Sequence, residues 1–161
     1  MRLALQVNGT TRFMEIEPRE TLADTLRDGA NLTALHLGCE GGSCGACTVL
    51  LDGEPVRPCI VLAVTTEGRQ IRTLEGLVSD PLMIALKTAF HEEHALQCGY
   101  CTPGMLIAAR DILLRHTQPD DATIRRELAG HICRCTGYMG IVAAIRRVGE
   151  ALPKTSQLSA P

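Results

Sequence analysis

The chain has 161 residues, room for one ordinary domain or two small ones, and its 16 Lys plus Arg against 18 Asp plus Glu give a formal charge of −2. That near balance, with no basic run, argues against a nucleic-acid partner, and 45% hydrophobic residues are too many for general disorder. With two Phe, two Tyr and no Trp, the core must be aliphatic and no stacking platform for bases or sugars can be assembled.

Leu3 to Val7 and Arg12 to Ile16, on either side of Asn8-Gly9, predict a β-hairpin. Thr21 reads as the N-cap of a short helix from Leu22 to Arg27 that Gly29 ends. Thr48 to Leu51 predicts a strand running into an Asp52-Gly53 turn, and Gln70 to Leu74 a last strand. Between them, Ile60 to Val64 is apolar and fits either strand or helix. Strands, one helix and a cysteine loop in about 75 residues match the β-grasp architecture of plant-type ferredoxins.

Near Gly76 the pattern changes to helical spacing. Asp80-Pro81 offers an N-cap followed by Pro at the first helical position, with Leu82, Leu86, Ala89 and Phe90 behind it. Thr102-Pro103 repeats the device ahead of Met105, Ala109, Ile112 and Leu113. Asp120 or Asp121 starts a third helix with Ile124 and Leu128. Thr136 caps a fourth, whose stripe is Tyr138, Ile141, Val142, Ile145, Val148 and Leu152. The expected fold class is therefore α+β: a β-grasp domain over residues 1–76, a four-helix bundle over 77–152, and a mobile polar tail over 153–161.

Eight cysteines carry the chemistry. The apolar run after Met1 is too short for a signal peptide, and no stretch approaches the roughly 20 apolar residues of a membrane span. A cytoplasmic location is expected, which disfavours a disulfide framework. Cys39, Cys44, Cys47 and Cys59 read C-x4-C-x2-C-x11-C, the plant-type spacing for a 2Fe–2S cluster. Gly38, Gly41, Gly42 and Gly45 let that loop wrap tightly and aim N–H groups at the sulfurs, favouring the reduced cluster. Four thiolates also suit tetrahedral zinc, which usually takes tighter C-x2-C pairs. Cys98, Cys101, Cys133 and Cys135 read C-x2-C, a 31-residue gap, then C-x-C, a less specific pattern for which structural zinc remains an alternative. Two helices are expected to begin directly after these pairs, at Thr102 and Thr136, with their positive ends toward the bound group.

Three motifs give the chain a resemblance to the small iron–sulfur subunit of the molybdenum hydroxylases, the xanthine dehydrogenase/aldehyde oxidase family. They are Gly38 to Val49, Gln97 to Met105, and Cys133 to Tyr138. The resemblance implies two 2Fe–2S clusters, one on Cys39, Cys44, Cys47 and Cys59 and one on Cys98, Cys101, Cys133 and Cys135. It implies a large subunit carrying molybdopterin (of the cytosine dinucleotide type) and a medium subunit carrying FAD. Electrons would pass from molybdenum to the bundle cluster, then to the ferredoxin-domain cluster, then to FAD or another acceptor. Gln97 and Cys135 match residues that contact the pterin in relatives. A separate small subunit points to a bacterial-type heterotrimer, single or dimerised, acting on an N-heteroaromatic, with a carbon monoxide or aldehyde dehydrogenase as the alternative. A free-standing two-cluster carrier and a zinc-stabilised interaction protein are the readings from other classes.

Two stretches depart from the family pattern. His131 stands where relatives commonly have Asn, and Thr33 to Leu37 differs from the usual run before the first cluster. Either is expected to tune a local potential or a subunit contact. His91-Glu92-Glu93-His94 lacks metalloprotease spacing and reads as solvated. Arg125-Arg126 and Arg146-Arg147 read as exposed helix surface or subunit contact. Ser43 has no His–Asp company for a nucleophilic role, and Met105 reads as core or subunit interface rather than a cofactor box.

Overall fold

The computed structural model describes residues 1–153. Apart from Pro153, the tail expected at 153–161 lies outside the described residues.

The expected hairpin forms. Strands β1 (Arg2–Val7) and β2 (Thr10–Glu15) pair antiparallel with Val7 opposite Thr10, and Asn8 and Gly9 turn the chain at φ 52° and 78°. Alternation on β1 buries Leu3, Leu5 and Val7 on one face. Helix α1 (Leu22–Asp24) starts at Thr21, whose hydroxyl accepts from Asp24 N–H at 3.2 Å. The helix then widens into a π turn over Thr25–Gly29, with Ala30 N–H reaching Thr25 C=O at 2.9 Å. Strands β3 (Val49–Leu51), β4 (Glu54–Val56) and β5 (Gln70–Arg72) complete a five-stranded sheet in the order β2-β1-β5-β3-β4. Its β1–β5 pair is parallel and the other pairs are antiparallel.

Two expectations in this half need correction. The apolar run Ile60 to Val64 is neither strand nor α-helix: Pro58–Ile60 and Ala63–Thr66 are 3-10 turns, and Leu62 between them bridges to Thr21. The last strand stops at Arg72 rather than Leu74, because Leu74–Leu77 is already a 3-10 turn.

Helices α2 (Pro81–Glu92), α3 (Thr102–Arg115), α4 (Asp121–Glu127) and α5 (Met139–Ala151) follow the sheet. They share one aliphatic core that includes Met83, Leu86, Ile107, Ile112, Ile124 and Ile145. Phe90 is a fully buried aromatic, whereas Phe13 lies exposed on β2 under the Arg2 guanidinium. A second core beneath the sheet gathers Leu3, Leu5, Leu22, Leu26 and Ile71. Each such aliphatic side chain contributes about 1.5–3 kcal/mol by leaving water. Strand β3 serves both cores: Val49 and Leu51 face the sheet core while Leu50 enters the helical one.

Asp80 and Asp120 cap α2 and α4 as expected, accepting from Met83 and Thr123 N–H at 2.8 Å each. The other two helix starts differ. Cys101, not Thr102, precedes α3, and the Thr102 hydroxyl caps nothing. Helix α5 begins at Met139 rather than after Thr136, because Tyr138 takes a left-handed φ of 68°. Thr136 is turned instead toward Cys133, donating from Oγ1 to its sulfur at 3.1 Å. So only α3 starts directly beside a cysteine pair.

Asp80 also ties α2 to α3, accepting from Arg110 Nε at 3.0 Å and from a terminal Arg110 nitrogen at 2.8 Å. Burial pushes its carboxyl up, but Arg110 and the Met83 N–H outweigh that and hold it below the usual value. The contribution is therefore present above the unfolded pKa of about 4 and is lost as the pH falls through the lower folded value. Asp80→Ala is expected to cost about 3 kcal/mol in urea unfolding, since it removes a cap and strands the largely buried Arg110. Asp80→Ser, which keeps the cap, is expected to recover about 1 kcal/mol of that.

Candidate metal centres

The first cysteine loop lies between α1 and β3, and its backbone is shaped to serve one sulfur. Cys39 Sγ accepts N–H groups from Gly41 at 3.4 Å and from Ser43 and Cys44 at 3.3 Å. Glu40, Gly42 and Gly45 take positive φ to make this wrap. The N–H bonds, those of Cys44 and Gly41 foremost, draw the Cys39 thiol down to about 6, so it stands ready as a thiolate. Cys47 and Cys59 are buried, with their sulfurs 3.5 Å apart. Burial pushes the Cys47 thiol up to about 12, and ligation there must displace a proton. Cys44, between Cys39 and Cys47 in sequence, is half-buried.

The second quartet assembles where the start of α3 meets the segment ahead of α5. Cys98 and Cys135 are exposed, with their sulfurs also 3.5 Å apart. Cys101 and Cys133 are half-buried. Burial, then the neighbouring Cys133 thiol, raises Cys101 to about 12. Burial also pushes Cys133 up, but Thr136 Oγ1–H and N–H overcome it and leave the thiol lowered. Tyr138 steadies the segment, its hydroxyl accepting from Cys133 N–H at 2.9 Å and donating to His131 C=O at 3.1 Å. Gln97, next in sequence to Cys98, is exposed.

The donor set fits binuclear clusters. Two thiolates about 2.3 Å from one tetrahedral metal lie roughly 3.8 Å apart, close to the pairs seen here. Zinc would draw four sulfurs round one ion, whereas a 2Fe–2S cluster takes two ligands on each iron. Two sulfur pairs are seen, Cys47 with Cys59 and Cys98 with Cys135, one in each quartet. His91 and His94 are exposed, and Arg146 and Arg147 pair with Asp121, Glu150, Glu92 and Glu93 on the helix surface.

The two loops touch. Ile132 N–H donates to Cys44 C=O at 2.8 Å, one residue from Cys133. Thr48, the residue after Cys47, accepts from Arg57 at 2.9 Å and meets His131 Nε2 at 3.1 Å, while its own hydrogen goes to Gly45 C=O at 2.7 Å. His131 is 7% exposed, and burial followed by the charge of Arg57 lowers it to about 4, so it is neutral. Gly104 and Gly45 permit the contact: a Cβ on Gly104 would strike Gly45 C=O, and one on Gly45 would lie 2.6 Å from the His131 ring. At a second point, Tyr100 donates to Leu37 C=O at 2.7 Å and stacks on His36 at 4.7 Å, and His36 Nδ1–H reaches Tyr100 C=O at 2.7 Å. Both departures from the family pattern thus lie on contacts between the cysteine loops, a placement that nothing local in the sequence signals.

Comparison with known proteins agrees in both halves. A family model described as a 2Fe-2S iron-sulfur cluster binding domain matches residues 5–75, and one described as a [2Fe-2S] binding domain matches residues 73–146. The chain is 48% identical over 149 residues to the gamma subunit of caffeine dehydrogenase from Pseudomonas sp. (strain CBB1), covering 91% of this chain and 89% of that one. It is 47% identical to the small subunit of nicotine 6-hydroxylase from Paenarthrobacter nicotinovorans, covering 90% and 87%. Quinoline 2-oxidoreductase from Pseudomonas putida 86 contains a chain of the same fold, with a TM-score of 0.87, 47% identity and 94% of each chain covered. Full-length likeness at this identity, over two iron–sulfur domains in the same order, places the chain among the small, electron-transferring iron–sulfur subunits of the molybdenum hydroxylase family.

Proposed function

We propose that this chain is the electron relay of a heteromeric, cytoplasmic molybdenum hydroxylase acting on an N-heteroaromatic. It would stand between a large subunit carrying molybdopterin, of the cytosine dinucleotide type, and a medium subunit carrying FAD, in a single or dimerised αβγ assembly. The observation that carries the reading is the direct junction of two paired-thiol sites through Cys44 C=O and Ile132 N–H. Residues 1–76 form a β-grasp domain in this reading, and 77–152 a four-helix bundle. When bound, each 2Fe–2S cluster supplies a site that takes up and releases one electron.

The residues divide the work. Cys39, Cys44, Cys47 and Cys59 hold one cluster, with the N–H groups of Gly41, Ser43 and Cys44 stabilising its added negative charge. Cys98, Cys101, Cys133 and Cys135 hold the other, with Thr136 donating to Cys133. Exposed Gln97 and Cys135 present that site to the pterin of the large subunit. The relatives named for caffeine, nicotine and quinoline support a nitrogen heterocycle as substrate. Large apolar side chains stand in water beside both sites, including Ile60 (63%), Ile132 (54%) and Met139 (68%). A free-standing carrier would keep such a surface polar, and a subunit covers it. No described helix is long and apolar enough to cross a membrane.

Purification from the native host tests the reading. Co-elution with a molybdenum-containing chain and a flavin-containing chain is expected, and a monomer free of both contradicts it.

A further inference from the structure

The seam between the cysteine loops contains one buried side chain that spans it from the helical side. We propose that His131 is a positioning residue: by donating from Nε2 to Thr48 Oγ1 it holds residues 130–133 against residues 44–48 and so fixes how the two cluster sites face one another. The inference rests on the two-cluster reading above and adds to it the group that sets their relation.

The hydrogen-bond accounting at Thr48 leaves a single arrangement. A hydroxyl has one hydrogen and two lone pairs. Its hydrogen goes to Gly45 C=O at 2.7 Å, so both remaining contacts, with Arg57 at 2.9 Å and His131 Nε2 at 3.1 Å, are accepted. The imidazole must therefore carry its hydrogen on Nε2. Its Nδ1 is buried with no partner, so a proton there would be unsatisfied and the ring serves as a neutral donor. The other seam contacts run from the backbone of the same short segment. Ile132 N–H bonds to Cys44 C=O at 2.8 Å, and a terminal Arg57 nitrogen bonds to Gly130 C=O at 2.8 Å. His131 lies between them, its ring against Gly45 closely enough that a Cβ there would be 2.6 Å from Cδ2. Removing the ring opens the middle of the seam, between the Gly130 and Ile132 backbone bonds. The outer contact of His36 and Tyr100 joins a different part of the loops and does not replace it.

The test uses the assembled complex, with two readouts other than turnover. His131→Ala is expected to speed hydrogen exchange at residues 130–133 by about tenfold, as one seam hydrogen bond is lost. Both reduced-cluster EPR signals should persist while the splitting caused by their mutual interaction changes. His131→Gln, able to place an N–H where Nε2 stands, is expected to restore both readouts. Arg57→Met, at a half-exposed position, removes the two Arg57 bonds and should shift both in the same direction even where His131→Ala does not assemble. Unchanged exchange and unchanged splitting in both His131→Ala and Arg57→Met overturn the proposal. Absence of two cluster signals from the unaltered complex instead overturns the two-cluster reading, and the exchange data still decide the role of His131 in the seam.

Discussion

Replacing Cys47 with alanine is expected to remove the ferredoxin-domain cluster while leaving the chain folded and the helical-domain cluster reducible by substrate. The substitution deletes one sulfur from a buried position, 2% exposed, within the core beneath the sheet. The loss of volume is small, so the packing penalty stays at about 1 kcal/mol. The chemical loss is large. Cys47 and Cys59 form the pair whose sulfurs lie 3.5 Å apart, and an iron left with one of them has no nearby replacement. Ser43 is exposed and its hydroxyl is turned to Gly41 C=O. Turnover with the native acceptor should fall by at least about 100-fold, and one of two reduced EPR signals should vanish. Rapid mixing with substrate separates the steps: the surviving signal should still appear. Native turnover in this variant would show that the proposed order of centres is wrong.

Cys135→Ala is expected to act one step earlier. Its sulfur pairs with Cys98 at 3.5 Å, and Cys135 is exposed. The variant should lose the helical-domain signal and block reduction of the ferredoxin-domain cluster by substrate, again by at least about 100-fold, while dithionite still reduces that cluster. Gln97→Ala, which removes no sulfur ligand, should keep both signals and slow only the reduction by substrate, by about tenfold. Equal loss of a cluster in Gln97→Ala would place that residue in the fold of the loop rather than at the pterin contact.

Much of the architecture was legible because it is encoded locally. Asn8-Gly9, Asp52-Gly53 and the caps at Asp80 and Asp120 each act within four residues, and all four appear where expected. The departures come from longer-range demands. Thr136 resembles a cap, yet its hydroxyl is taken by Cys133, and Tyr138 turns the chain so that its own hydroxyl can grip the His131–Cys133 segment. The run Ile60 to Val64 satisfies strand or helix spacing equally, and a contact with Thr21 across the sheet core decides against both. The clustering of the cysteines was legible in their spacing, but the contacts between the two loops were not. His131 meets a hydroxyl 83 positions away, and Tyr100 a carbonyl 63 positions away. No periodicity carries that information.

Whether one chain holds two 2Fe–2S clusters is decided by EPR of the dithionite-reduced complex, paired with iron and sulfide analysis. Two distinct rhombic signals, iron and acid-labile sulfide in equal amounts, and no zinc are expected. A colourless chain without a rhombic signal, or one holding zinc in place of iron, would contradict the two-cluster reading.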